Sequence, residues 1–162
     1  MANVRNANQS DFEAILALND AEVQHTSPMS LAQLEHLSQM AGYFKVAVVD
    51  GQVAAFLIAL REGAPYQNDN YGWFSTRFPR FLYVDRVAVG RPFAGRGLGS
   101  TMYGDLFAFA RQGFVPIITC EYNIIPPNPG SRFFHDKHGF KELGTQWVAG
   151  GTKQVSLQAA ET

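Results

Sequence analysis

Residues 84–100 constrain the chain more than any other segment. Val84 to Val89 is a β-rich run. Gly90 to Gly99 is a glycine-rich loop with glycines at 95, 97 and 99, and residues at helical spacing follow from about Ser100 to Gln112. A strand that empties into such a loop and then a helix demands a mixed α and β fold. Glycines at alternate positions free successive backbone N–H groups to converge on one point. The helix N-terminus adds unpaired donors and partial positive charge, so the segment reads as a receptor for a phosphate or pyrophosphate. Arg91 and Arg96 either add side-chain charge there or face water. The competing reading is that the glycines only shape a tight turn.

The ligand class narrows by elimination. A nucleotide-hydrolysing loop needs Gly-Lys-Ser/Thr after four intervening residues, and that is missing. A dinucleotide fold wants its glycine motif early in a parallel sheet, with an acidic residue about 20 positions on. Glu121 falls near that distance, but an antiparallel hairpin upstream and the short remaining chain count against that fold.

The flanking segments supply the hairpin and more. Ser10 and Asp11 can cap a first helix with Phe12, Ile15, Leu16 and Leu18 on one face, running to about Val23, and His25 to Pro28 break it. Ser30 caps a second helix carrying Leu31, Leu34, Leu37 and Met40, which Ala41 and Gly42 end. Tyr43 to Val49 and Val53 to Leu60 flank Asp50-Gly51, a strong hairpin signal. Residues 61–79 read as a long connection, Arg80 to Val89 and Val115 to Glu121 as strands, and Asn123 to Pro129 as an irregular proline-rich segment. A short helix is expected from Ser131 to Lys137, then strands near Phe140 to Gln146 and Lys153 to Gln158. The order indicates one domain over 1–162 with an α+β, mixed sheet rather than a doubly wound one.

Arg86 to Val89 followed by Ala94, Gly95, Arg96, Gly97, Leu98 and Gly99 resembles the acetyl-CoA site of the GCN5-related N-acetyltransferase (GNAT) superfamily. Its motif, Gln/Arg-x-x-Gly-x-Gly/Ala, places Gly97 and Gly99 on the glycine positions and Ala94 on the first. Residues 128–140 resemble the family's later motif, Asn-x-x-Ala-x-x-x-Tyr-x-x-x-Gly-Phe. Asn128, Gly139 and Phe140 match it, Ser131 replaces Ala, and His135 replaces Tyr. The Phe134-His135 pair is similar to that of a subgroup of uncharacterised predicted acyltransferases.

The resemblance implies a mostly antiparallel twisted sheet flanked by helices, with a V-shaped splay after the central strand. It implies an N-acetyltransferase that uses acetyl-CoA as donor and a primary amine of a small molecule or peptide as acceptor. Val87, Ala88 and Val89 would present backbone groups to the pantetheine arm, Ala94 to Ser100 would hold the pyrophosphate, and Asn128 would contact the pantetheine or nearby backbone. His135 stands where the family's proton donor to the departing thiolate usually stands. An imidazolium can do that work near neutral pH, whereas the plainer reading is a helix histidine that satisfies a carbonyl.

Glu121 and Asp85 are the carboxylates that can serve as general base, Glu121 the better candidate because Asp85 has Arg86 and Arg80 for ion-pair partners. Cys120 is either a small buried hydrophobe or an acyl carrier. Tyr71, Trp73 and Phe74 suggest an aromatic acceptor wall or simply core. His135, Asp136 and His138 do not form a recognised metal spacing, so no metal is expected.

Composition limits the partners. A net charge of −1 gives no global basic footprint for nucleic acid. No apolar run approaches the roughly 20 residues that span a bilayer, the N-terminus lacks a signal-like apolar stretch, and a single cysteine fits a reducing cytoplasm. A homodimer through the late strands is one assembly the chain can form. A non-catalytic acyl-CoA-binding sensor is the alternative to an enzyme.

Overall fold

The computed structural model describes residues 2–22 and 26–162. Among the described residues, seven strands are ordered β1-β2-β3-β4-β5-β7-β6, with five α-helices between them. The strands are β1 Asn3–Asn6, β2 Tyr43–Val49, β3 Gln52–Arg61, β4 Leu82–Val89, β5 Ile117–Ile125, β6 Lys141–Val148 and β7 Lys153–Glu161. The helices are α1 Phe12–Ala21, α2 Leu31–Met40, α3 Asp69–Ser75, α4 Leu98–Gln112 and α5 Pro129–Lys137. Four of the described strand pairings are antiparallel and the β4–β5 pairing is parallel. The expected mixed, mostly antiparallel sheet flanked by helices is therefore present. Two compact units divide the chain, residues 1–60 with 85–109 and residues 61–84 with 110–162.

In the first unit, the turn between β2 and β3 has φ of 51° at Asp50 and 76° at Gly51. Two positive φ values in a two-residue loop match the right-handed twist of the strands it joins. From Ala54 to Leu60 every residue of β3 is buried, as in a strand covered on both faces. Ser30 caps α2 in a reciprocal box with Gln33.

Two expectations for this unit are corrected. The cap of the first helical segment is Asn8, whose side chain accepts the Ser10 N–H while the Asp11 carboxylate accepts the Asn8 N–H at 2.9 Å. Asp11 also receives both Arg5 guanidinium nitrogens, at 2.8 and 2.9 Å, and that pairing holds its carboxyl below the usual range. Arg5 lies on β1, which pairs antiparallel with β2 where no strand was expected. The expected end of α1 at Val23 and the break at His25 lie outside the described residues.

In the second unit, the connection at 61–79 is not structureless. It carries α3, capped by the Asn68 side chain, which accepts the N–H groups of Asn70 and Tyr71 at 3.0 Å. Residues directly opposite in an antiparallel pair share a face. Glu121, Leu157 and Gly144 therefore form one cross-strand row, and Asn123, Val155 and Gln146 form the next. Helix α3 lies on that face. The Trp73 ring occupies the space above Gly144, where a Cβ would come within 2.9 Å of its Cζ2. The Gln146 side-chain amide donates to Asn70 Oδ1 at 3.1 Å. Tyr122 points to the opposite face, toward the His135 ring of α5, with centroids 5.6 Å apart.

Strand β5 runs to Ile125, past the expected end at Glu121, because its pairing with β7 continues through Asn123 and Ile125. Helix α5 starts at Pro129, two residues before the expected Ser131, behind an Asn128 cap.

Candidate functional site

In the first unit, β4 ends at Val89 and Gly90 turns the chain. The Gly90 N–H donates to Ala54 O at 2.7 Å, and a Cβ there would meet Leu18 Cδ2 at 2.9 Å and Ala54 O at 3.3 Å, so a larger residue would require Leu18 to shift. Gly95 and Gly97 follow with φ of 78° and 73°, and a Cβ built on either would have nothing within 4 Å. Their requirement is thus conformational, since the left-handed region costs an L-residue about 1–2 kcal/mol, while the space above them is open. Helix α4 begins immediately, at Leu98, and the N–H groups of a first turn lack intrahelical acceptors. An exposed loop of this shape, ending on the positive end of a 15-residue helix, fits a phosphate or pyrophosphate.

The charged side chains nearby divide by role. Arg91 bonds Ala21 O at 2.8 Å and reaches Glu22 at 3.4 Å, which ties it to the end of α1. Arg96 is exposed, its guanidinium 5.5 Å from the Phe93 ring, and so is the loop cation open to an anion. Arg86 donates to Ser27 O at 2.6 Å, Ser27 Oγ at 2.8 Å and Asn19 Oδ1 at 3.2 Å. Asp85 Oδ2 lies 3.4 Å from Arg86 Nε, so Asp85 is held in an ion pair with its neighbour. Arg80 contacts Gly113 O instead, at 3.4 Å. Ala88 is buried and Val87 and Val89 are half-buried.

In the second unit, the paired register of β4 with β5 consists of Leu82 with Ile118 and Tyr83 with Thr119, although β5 continues to Ile125. Just past that register stands Glu121. The Tyr83 hydroxyl, in a fully buried side chain, donates to Glu121 Oε1 at 2.9 Å. A hydrogen bond of this kind fixes the carboxylate's orientation. Sequence reasoning missed Tyr83, since the two residues are 38 positions apart and only the strand register joins them.

His135 is buried on α5 among Tyr122, Phe134 and Phe140. Its Nδ1 lies 2.7 Å from Ser131 O, with Ser131 Oγ at 3.2 Å. A carbonyl can only accept, so the proton of the neutral ring sits on Nδ1 and Nε2 carries the lone pair. Burial pushes its pKa below the ordinary histidine value. The Ser131 bond opposes that shift, His138 adds to it, and Asp136 opposes it. Asn128 caps the same helix, its Oδ1 accepting from Ser131 N at 3.3 Å.

The remaining candidates resolve by burial. Cys120 is 2% exposed, and burial, followed by the Glu121 charge, pushes its thiol well up, which suits a core residue and not an acyl carrier. Tyr71 and Phe74 pack with Phe81 and Tyr83, and the Tyr71 hydroxyl donates to Arg61 O at 2.6 Å, so both serve the core. Trp73 alone of the expected aromatic wall is half-exposed. Among the described residues no group of three metal-ligating side chains occurs, and no helix is long and apolar enough to cross a membrane.

A strand, a glycine loop in left-handed conformation and a helix that opens on it form a backbone receptor for a phosphate-bearing ligand. Residues 2–140 match the Acetyltransferase (GNAT) family. The chain belongs to that family and is an acyltransferase.

Known structures share the fold at low identity. The ribosomal-protein-S18-alanine N-acetyltransferase from Escherichia coli is 15% identical, with a TM-score of 0.72 over 99% of this chain and 94% of that one. Ard1 from Thermoplasma volcanium is 15% identical, with a TM-score of 0.81 over 99% and 97%. The NatC complex bound to Gag peptide and CoA matches at 14% identity, with a TM-score of 0.78 over 99% and 98%. No curated protein sequence matches the chain.

Proposed function

We propose that residues 1–162 act as one acyl-CoA N-acyltransferase domain that transfers acetyl from acetyl-CoA to a primary amine of a small molecule or peptide by direct attack. The observation that carries this reading is the loop at Gly95 and Gly97, with positive φ, open space above it and α4 beginning at Leu98. Backbone groups of Ala94 to Ser100 hold the donor's pyrophosphate, with Arg96 adding charge, and Val87, Ala88 and Val89 offer backbone groups to the pantetheine arm. Bound acetyl-CoA supplies an activated thioester. A structural neighbour bound to CoA and a peptide supports both donor and acceptor class.

Glu121, oriented by Tyr83, removes the proton that an ammonium acceptor must lose before it can attack. His135 starts neutral, so its Nε2 can take the proton that the attacking nitrogen loses as the C–N bond forms and pass it to the thiolate that departs as the C–S bond breaks. The tautomer set by Ser131 O thus favours a shuttle over the imidazolium donor that its place in the motif implies. Asn128 acts through the α5 cap, which carries His135. Trp73 is the acceptor contact, and Tyr71 and Phe74 support it from the core.

Purified protein with acetyl-CoA is expected to release CoA only when a reactive amine is added, in proportion to acetylated product. The sensor reading is favoured by one observation, the absence of a phenol at position 135. Tight acetyl-CoA binding with no CoA release across a panel of amines and peptides would replace the enzyme by that sensor. We further propose a cytoplasmic homodimer paired through β6, an edge strand with Leu143 46% and Trp147 53% exposed. Light scattering should then give about twice 17.9 kDa, and a monomer mass would refute it.

A further inference from the structure

The face of the second unit that carries Glu121 also carries a built cation. Glu121, Leu157 and Gly144 share one cross-strand row, and the Trp73 ring stands over Gly144. On that ring sits the Arg77 guanidinium, 3.5 Å from the centroid. Its Nη1 donates to Trp73 O at 2.8 Å and to Thr76 Oγ1 at 3.1 Å. Arg77 is exposed, and no ion pair with a carboxylate of the described residues satisfies its charge.

An arginine stacked on an indole and tied to the backbone has lost much of its rotamer freedom, so it meets an anion at little further entropic cost. The platform is itself held in place. Gly144 alone leaves room for the ring, and the Asn70–Gln146 bond pins α3 to β6. Two strand spacings separate Glu121 from Gly144, about 10 Å.

We propose that Arg77 on its Trp73 platform selects acceptors that carry a carboxylate remote from the reacting amine. The inference rests on the acetyltransfer reading and on Glu121 as the place where the amine reacts. The guanidinium fork matches a carboxylate in two parallel hydrogen bonds. Such a carboxylate can come from a free amino acid or from an acidic side chain of a peptide.

The test compares matched acceptors on the wild type, Arg77→Gln and Arg77→Glu. One pair is a straight-chain ω-amino acid and its primary amide. The other is a peptide with aspartate at its second position and the same peptide with asparagine. The readout is the ratio of KM for the amide to KM for the carboxylate within each protein, so that a general effect on folding or turnover cancels. Binding of the same compounds to CoA-saturated protein is measured beside it.

The wild type is expected to favour the carboxylate by about twofold to fivefold, the range for a well-oriented but exposed pair. Arg77→Gln should remove the preference, Arg77→Glu should invert it, and added salt should weaken it. The pair that shows the ratio names the source, free amino acid or peptide. A ratio near one in the wild type, or one unchanged in both variants, overturns the inference while leaving acetyl transfer standing. Failure to bind acetyl-CoA at all overturns the functional reading and this inference with it.

Discussion

Glu121→Gln is expected to lower kcat by about 10²-fold or more, within the roughly 10²–10⁴-fold range for general acid–base catalysis, with acetyl-CoA affinity unchanged. The substitution keeps the volume of the side chain and an oxygen that can accept the Tyr83 hydroxyl, so the contact at 2.9 Å has a replacement. What disappears is the basic lone pair. An ammonium acceptor then depends on solvent to lose its proton, and the deficit should shrink as pH rises and free amine becomes abundant. Calorimetry on the variant checks that the donor still binds, and steady-state rates with one amine give kcat. A loss below threefold would remove Glu121 from the mechanism.

His135→Phe is expected to cost at least about 30-fold in kcat. Phenylalanine fills the space among Tyr122, Phe134 and Phe140 but has no proton site. The pH profile carries the sharper information. Burial, the largest influence on the ring, lowers its pKa below the ordinary 6.5, so the neutral form persists to a more acidic pH than usual. A shuttle that must start neutral gives a rate that rises with pH below 6.5 and is level through neutrality. An imidazolium donor would give a rate that falls over the same interval.

The same shift has a stability sign. Between the folded and unfolded pKa values the unfolded chain binds more protons, so stability increases with pH there and is complete above the unfolded value. The wild type should therefore lose stability as pH falls below about 6.5, and His135→Phe should lose less. A wild-type rate that falls steadily from about pH 6 to 8, the range in which histidine ordinarily titrates, would contradict the neutral ring.

Features written in local sequence are legible from the residues themselves. Asp50-Gly51 announces its turn because two adjacent residues must adopt positive φ, and Ser30 with Gln33 announces a helix start. The glycine loop belongs with these, since its conformation is a property of Gly95 and Gly97 themselves. Features set by pairing at a distance are not legible in that way. Strand β1 has only Val4 as an apolar residue and exists through its register with β2. The extension of β5 to Ile125 follows from β7, and Tyr83 meets Glu121 only through the β4–β5 register.

Helix α3 is a different case, since its Asn68 cap stands in the sequence but precedes only seven helical residues, three of them aromatic and one a glycine. Motif spacing singles out His135. It does not give the tautomer, because that depends on which atom the ring meets after α5 forms.

The measurement that tests the central claim most directly is calorimetric titration of the purified protein with acetyl-CoA, beside NAD and ATP, on the wild type and on Gly97→Val. Micromolar binding of acetyl-CoA alone is expected. The variant should bind about 5- to 30-fold more weakly, because a β-branched residue is strained at the φ of 73° that the loop requires. No heat with acetyl-CoA or longer acyl-CoAs, or equal affinity in Gly97→Val, would contradict an acyl-CoA site at this loop.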